Sequence, residues 1–340
     1  MARLGLDIGG ANIKWFHSLG HPGCKPFAMW RTPLQLAAAL IEIAEKLPPA
    51  HQWGVTMTGE MADVFGDRNE GVQTIIRQTS IAADTLGVEI VLVYAIPGNF
   101  LSPAVAINQS ETVASANWHA LANWTSTWID RESVLIDIGT TTVDLIPVAP
   151  NRVATSSITD YDRLLRRELV YLGGKRTPVC SLVTSLPFAR KMVPVMREVF
   201  ANTDDCSLLL DWTPEDRSDM DTCDGKPRTR QAAASRLARM IGLDSDNVTI
   251  ADARLMAVHV FQQANQELMA ALETHSRYAK NQWIVSGHAD RLLHPQPGID
   301  MVNLSDRLGP LVSRVGPAYA VCELLRAWSA PPESSTPSVM

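Results

Sequence analysis

Two stretches of the chain carry the same rhythm of apolar and polar positions. Leu4 to Lys14 reads Leu-Gly-Leu-Asp-Ile-Gly-Gly-Ala-Asn-Ile-Lys, and Val134 to Ile146 reads Val-Leu-Ile-Asp-Ile-Gly-Thr-Thr-Thr-Val-Asp-Leu-Ile. Each is an apolar strand, a carboxylate (Asp7 or Asp137), a tight turn of glycine and small residues, then a second apolar strand. Two such hairpins, 130 positions apart, predict two related halves that face each other across a cleft.

Around the first copy the pattern predicts strands over 3–8 and 13–17 and a third at 27–30. Thr32-Pro33 has the form of a helix start, with Thr32 as N-cap, and Leu36, Leu40, Ile43 and Leu47 continue it until Pro48-Pro49. The stretch 55–58 reads as a strand ending in Gly59-Glu60, 69–86 as a helix stopped by Gly87, and 89–96 as a strand closed by Pro97-Gly98. From Glu111 to about Trp128, Trp118, Trp124 and Trp128 sit among alanines, the composition of a core helix.

The second half restarts at 133 with its hairpin. A turn at Asn151-Arg152, a third strand near 153–156 and a helix from a Thr159 cap through Leu169 are expected next. Val170 to Val179 forms a glycine-turn loop carrying the adjacent cations Lys175 and Arg176. The acidic stretch 202–227 lacks the spacing of a calcium hand and reads as a solvated, lid-like insertion. Helices at 229–241 and 251–273, strands at 282–285 and 301–304, and a helix at 316–328 complete the pattern. The Pro- and Ser-rich segment 331–340 reads as a disordered tail. Strands alternating with helices in both halves predict an α/β layer architecture. Its domains would be 1–130 and 131–330, the latter with a polar insertion at about 185–245.

Composition narrows the function. The 340 residues are 46% hydrophobic and 19% charged with a net charge of −6, a balance that argues against a nucleic-acid partner. No apolar run approaches the roughly 20 residues of a membrane helix, and the N-terminus enters a strand with no signal-peptide pattern; a cytoplasmic protein is expected. The five cysteines, Cys24, Cys180, Cys206, Cys223 and Cys322, are odd in number and scattered, which predicts reduced thiols and no zinc site. No feature sets an oligomeric state.

The chemistry concentrates in the hairpins. Glycine turns between strands direct backbone N–H groups into a concavity that suits phosphate oxygens. Gly9, Gly10, Ala11 and Asn12 in the first copy, and Gly139, Thr140, Thr141 and Thr142 in the second, are the candidate phosphate binders. Lys14 would set a cation beside the phosphate, and Asp7 and Asp137 would hold Mg²⁺ through water. There is no Gly-x-Gly-x-x-Gly helix opening and no Walker A sequence.

These residues resemble a known group. Asp7-Ile-Gly-Gly and Asp137-Ile-Gly-Thr-Thr-Thr are similar to the two phosphate loops of the actin-like ATPase superfamily, which includes sugar kinases, Hsp70 and actin. The Asp-Ile-Gly-Thr-Thr-Thr-x-Asp run resembles its hydantoinase A/oxoprolinase branch. With Thr56-Met-Thr-Gly-Glu-Met-Ala-Asp63, Ala116-Asn-Trp118, Glu168-Leu-Val-Tyr171 and Arg176-Thr-Pro-Val179, the resemblance narrows to the methanofuran-biosynthesis synthases, a subfamily linked to tetrahydromethanopterin C1 transfer, and runs over most of 3–325.

The resemblance implies a two-domain actin-like/ribonuclease H-like fold with duplicated β-β-β-α-β-α-β-α halves around a central cleft. It implies an enzyme that joins a furan-methyl diphosphate to the phenol of γ-glutamyltyramine, forming an aryl ether and releasing diphosphate. Its partners would be those small molecules and its cofactor Mg²⁺. Glu60 is the first candidate base for the phenol, with Asp144 and Asp137 as rivals; Tyr171 and Arg176 are candidate substrate contacts. An ATP-dependent kinase or hydantoinase/oxoprolinase-type ATPase on the same loops is the alternative, with ATP as its cofactor, and a polymerising scaffold is a third. Ser286-Gly287-His288, where actin-like kinases hold adenosine, has one glycine in place of the expected pair.

Overall fold

The computed structural model describes residues 1–287, 290–293 and 297–328. It contains two compact units. One comprises Met1–Trp128, Asn151–Thr159 and the chain from Leu308; the other comprises Ile129–Pro150 and Asp160–Arg307. A single division at 130 does not describe this connectivity, because the chain returns twice to the first unit.

In the first unit, strands β1 (Arg3–Ile8), β2 (Asn12–His17), β3 (His21–Pro26), β4 (Gln52–Met57), β5 (Ile90–Ala95) and β6 (Asn99–Leu101) form one sheet in the order β3-β2-β1-β4-β5-β6. β2 is antiparallel to β1 and β3, while β1, β4 and β5 run parallel. This is the ribonuclease H-like arrangement. Helices α1 (Leu36–Glu45) and α2 (Arg68–Leu86) share a core with the sheet that includes Leu6, Ile8, Trp53, Met57, Leu40, Val72 and Ile76. Asp67 caps α2 by accepting from the Glu70 amide, and Gly87 at φ 67° ends it in the left-handed conformation glycine tolerates.

The last described helix, Gly316–Ala327, packs on β1 and β4. Gly5 and Gly54 are register partners there. A Cβ on Gly5 would fall 2.0 Å from the Ala318 carbonyl oxygen, and one on Gly54 would fall 2.7 Å from Val321 Cγ1. Two adjacent glycines thus open the groove that seats this helix.

Three first-unit expectations are corrected. The third strand is His21–Pro26, not 27–30. A short turn with Gly20 at φ 90° leads β2 straight into it, and its proline-containing, polar sequence is that of an edge strand. Thr32 makes no side-chain cap; Pro33–Gln35 is a 3-10 turn before α1. The segment expected to be one helix from Glu111 breaks after Ser110–Val113 and resumes as α3 (Asn117–Ser126), with Ser115 at φ 49° between them.

In the second unit, β7 (Ser133–Ile138) and β8 (Val143–Ala149) form the second hairpin. They are followed by α4 (Asp160–Leu165), β9 (Leu169–Val170), the hairpin β10 (Ser185–Phe188) and β11 (Lys191–Pro194), and helices α5 (Thr203–Leu209), α6 (Arg230–Met240) and α7 (Ile250–Thr274). Strands β12 (Gln282–Gly287) and β13 (Asp300–Asn303) complete the unit. The order β9-β8-β7-β12-β13, with β7, β12 and β13 parallel and β8 antiparallel, repeats the first sheet's pattern.

The third strand of this sheet is Leu169–Val170; near 153–156 only Arg152–Val153 is extended. Helix α4 stops at Leu165 because Arg167 turns left-handed at φ 58°, which returns the Glu168 amide to the Arg163 carbonyl. The acidic stretch 202–227 is not simply a solvated lid. Helix α5 is buried, with Arg228 and Arg236 clamping Asp204 and Asp205. Among the described residues no helix is long and apolar enough to cross a membrane. The expectations for His288 and for 331–340 lie outside the described residues.

Candidate active site

The β1–β2 turn is closed by the Gly9 amide donating to the Asn12 carbonyl at 2.9 Å. The carbonyls of Gly10 and Ala11 accept from the Met29 and Phe27 amides at 2.9 and 3.0 Å. Among the described residues the Gly10 and Ala11 amides have no backbone acceptor, a turn geometry that suits an anion. A Cβ on Gly10 would meet nothing within 4 Å, so the site is open there.

Asp7 sits near the end of β1, a register partner of Lys14 on β2 and of Thr56 on β4. Lys14 Nζ lies 3.7 Å from Asp7 Oδ2. Cys24, opposite Lys14 on β3, has its thiol pushed up by burial, with Lys14 opposing and Asp7 reinforcing that shift. The sequence reading did not single out Cys24 here.

Glu60 joins the first loop through its neighbour. The 3-10 turn Gly59–Met61 follows β4, and a Cβ on Gly59 would lie 3.0 Å from the Gly9 carbonyl oxygen. Glu60 is 1% exposed, and its Oε1 accepts from the Ser115 hydroxyl at 2.7 Å. On the other side, a Cβ on Gly71 of α2 would be 2.3 Å from the Glu60 carbonyl oxygen. Turn, helix and kink together fix this carboxylate.

The second loop has the same closure: the Gly139 amide donates to the Thr142 carbonyl at 2.8 Å. The Gly139 carbonyl accepts from the Gly174 amide, and the Thr140 carbonyl from those of Lys175 and Arg176. Gly173 allows this approach, since its Cβ would be 2.4 Å from the Thr140 carbonyl oxygen. The amides of Thr140 and Thr141 have no backbone acceptor among the described residues.

Asp137 and Asp144 are register partners across β7 and β8. Asp144 is ion-paired with the buried guanidinium of Arg163, which also binds Asp160 at 3.0 Å. Such a carboxylate is suited to holding the α4 connection, which weakens its case as a base. Tyr171 is 67% exposed, so it does not pack in the core. The side chains of Lys175 and Arg176 are exposed beside the loop.

Among the described residues, no three His, Cys, Asp or Glu side chains gather into a metal cluster. One strand-end carboxylate per loop, beside amides suited to phosphate, fits Mg²⁺, which keeps much of its water and binds through few carboxylates plus phosphate oxygens. Sequence reasoning missed Ser115, Gly71 and Arg163. Ser115 lies in an Ala-Ser-Ala run that reads as helix, Gly71 is a lone helix glycine, and Arg163 reads as an exposed helix cation.

Residues 52–287 match the profile of the hydantoinase/oxoprolinase family, well over half of the chain. The chain belongs to the hydantoinase/oxoprolinase family. The chain is 29% identical over 331 residues to the (4-{4-[2-(gamma-L-glutamylamino)ethyl]phenoxymethyl}furan-2-yl)methanamine synthase of Methanocaldococcus jannaschii, covering 95% of this chain and 97% of that one. The synthase of the same name from Methanococcus vannielii is 27% identical over 213 residues, covering 60% of this chain and 96% of that one. Acetone carboxylase, solved without nucleotide, matches with a TM-score of 0.55 at 11% identity over 94% of this chain and 70% of that one. Likeness at that identity speaks to the fold alone of this hydantoinase/oxoprolinase-family chain.

Proposed function

We propose that the chain condenses a furan-methyl diphosphate with the phenol of a tyramine-type acceptor, forming an aryl ether and releasing diphosphate. The observation that carries this reading is the pairing, within one unit, of an anion-binding turn and its cation with a buried carboxylate one residue beyond a contact to that turn. The near full-length similarity to a synthase of that kind supports the substrate class.

In the reaction Glu60 takes the phenolic proton, which a phenol of reference pKa near 10 holds at neutral pH. The phenolate oxygen attacks the furan-bearing CH2, the C–O bond to diphosphate breaks, and the electron pair leaves with the diphosphate. Lys14 and the amides of Gly10 and Ala11 stabilise the charge that gathers there. The amides of Thr140 and Thr141 form the equivalent turn of the second unit. Asp7 and Asp137 are the residues that would hold Mg²⁺; when bound, the ion supplies Lewis-acid stabilisation of the leaving group.

The test is a release assay with purified protein and Mg²⁺, following diphosphate from the furan-methyl diphosphate with and without γ-glutamyltyramine. Phenol-dependent release with an ether product is expected. Phosphate release from ATP, with no diphosphate release, would overturn the reading in favour of an ATPase. Titration of Mn²⁺ with pyrophosphate onto wild type, Asp7→Asn and Asp137→Asn checks the metal assignment without turnover: each variant should bind the ion more weakly.

A further inference from the structure

Ser115 is placed at a cost. It holds φ 49°, the left-handed region that glycine and asparagine enter readily and other residues seldom. It interrupts what would otherwise be a continuous helical run, and it is itself buried between Ala114 and Ala116, both buried. Glycine would make the same kink with less strain. What serine adds is one hydroxyl, and that hydroxyl donates to Glu60 Oε1 at 2.7 Å.

The surroundings leave Glu60 little freedom to move away. Gly59 lies against the Gly9 carbonyl, and Gly71 brings α2 onto the Glu60 backbone. The backbone of Glu60 is therefore set by two glycine contacts, and its carboxylate by the serine. A hydroxyl donating to a carboxylate oxygen favours the ionised, proton-accepting form and constrains the rotation of the carboxylate. Strain of this kind clusters where a catalytic group must be aimed.

We infer that Ser115 is a positioning residue for the base of the reaction: its hydroxyl orients the Glu60 carboxylate toward the phenol. This rests on the reading of Glu60 as general base given above. Ser115 itself touches no substrate and exchanges no proton with it.

The experiment compares wild type, Ser115→Gly, Ser115→Ala and Glu60→Gln. Ser115→Gly relieves the left-handed strain while deleting the hydroxyl, so the strain relieved offsets part of the lost hydrogen bond and the variant should remain folded, as a thermal melt checks. Both serine variants should lose about 10-fold or more in kcat, a part of the roughly 10²–10⁴ that general-base catalysis supplies. KM for the furan-methyl diphosphate should stay within about twofold. The acid limb of the kcat–pH profile should move to higher pH by about one unit, since a hydrogen bond to the charged form has been removed.

Wild-type kcat and pH profile in Ser115→Gly, with Glu60→Gln inactive, would overturn the positioning role and leave the base reading standing. A kcat loss in Ser115→Gly with an unmoved profile would also overturn it, marking Ser115 as structural. Full activity in Glu60→Gln would remove the base reading, and the role of Ser115 with it.

Discussion

Lys14 Nζ stands 3.7 Å from Asp7 Oδ2, the two residues facing each other as register partners across β1 and β2. Asp7 is buried while Lys14 remains partly exposed. The cation is therefore held at the edge of the loop, where an entering anion can share it. Lys14→Met should lower kcat/KM for the diphosphate substrate by about 100-fold, comparable to losing one preorganised donor to developing charge. Its melting temperature should fall as well, because the buried Asp7 carboxylate loses this cation. Steady-state kinetics with a thermal melt checks both, and an unchanged kcat/KM would remove Lys14 from the leaving-group site.

Asp144 is expected to behave as a structural carboxylate. Asp144→Asn leaves the buried Arg163 guanidinium without that charge partner, which should cost about 3 kcal/mol. Denaturant unfolding measures the loss. A variant of unaltered stability whose kcat–pH profile has moved would instead return Asp144 to the list of bases.

The two units should respond to acid in opposite directions. Burial holds the His119 imidazole down to about 4, against 6.5 in the unfolded chain, and Tyr94 Oη lies 2.8 Å from its Nδ1. Between those values the unfolded chain takes up a proton and the folded one does not. About 3 kcal/mol of first-unit stability, present above pH 6.5, is therefore lost as the pH falls to 4. Asp205 is pushed up to about 6 by burial, against the pull of Arg236. Its contribution runs the other way, fully present below pH 3.8 and lost as the pH rises through 6. Hydrogen exchange of α3 and α5 peptides at pH 4.5 and 6.5 separates the two, and His119→Asn should flatten only the first.

Gly71→Ala would ordinarily stabilise a helix interior by up to about 1 kcal/mol. Here the added methyl meets the Glu60 carbonyl oxygen at 2.3 Å. The substitution should instead cost about 1–3 kcal/mol and lower kcat by shifting Glu60. A thermal melt together with kcat decides the matter; a stabilised and fully active variant would show that α2 does not press on this turn.

Much of this architecture was legible because the signals were local. Asp7 and Asp137 ahead of glycine turns, Gly87 after the apolar face of α2, and the alternation of strands with helices each depend on neighbours a few positions away. The strand His21–Pro26 was missed because edge strands lack the apolar signature that buried strands carry. The break at Ser115 was invisible for another reason. Alanines and tryptophans favour a helix, and only a contact with Glu60, 55 positions earlier, gives the left-handed serine its use. Likewise the acidic stretch 202–227 looked solvated until Arg228 and Arg236, from beyond it or at its end, were found bound to its aspartates.

The groove at Gly5 and Gly54 has a consequence for how the protein is born. These glycines are translated more than 250 residues before the helix that fills their groove, with Ala318 and Val321. At roughly 5–20 residues per second, that face of the sheet stays bare for some tens of seconds while the whole second unit is synthesised. A nascent chain stalled before residue 316 thus carries an uncovered groove on this sheet for chaperones to guard.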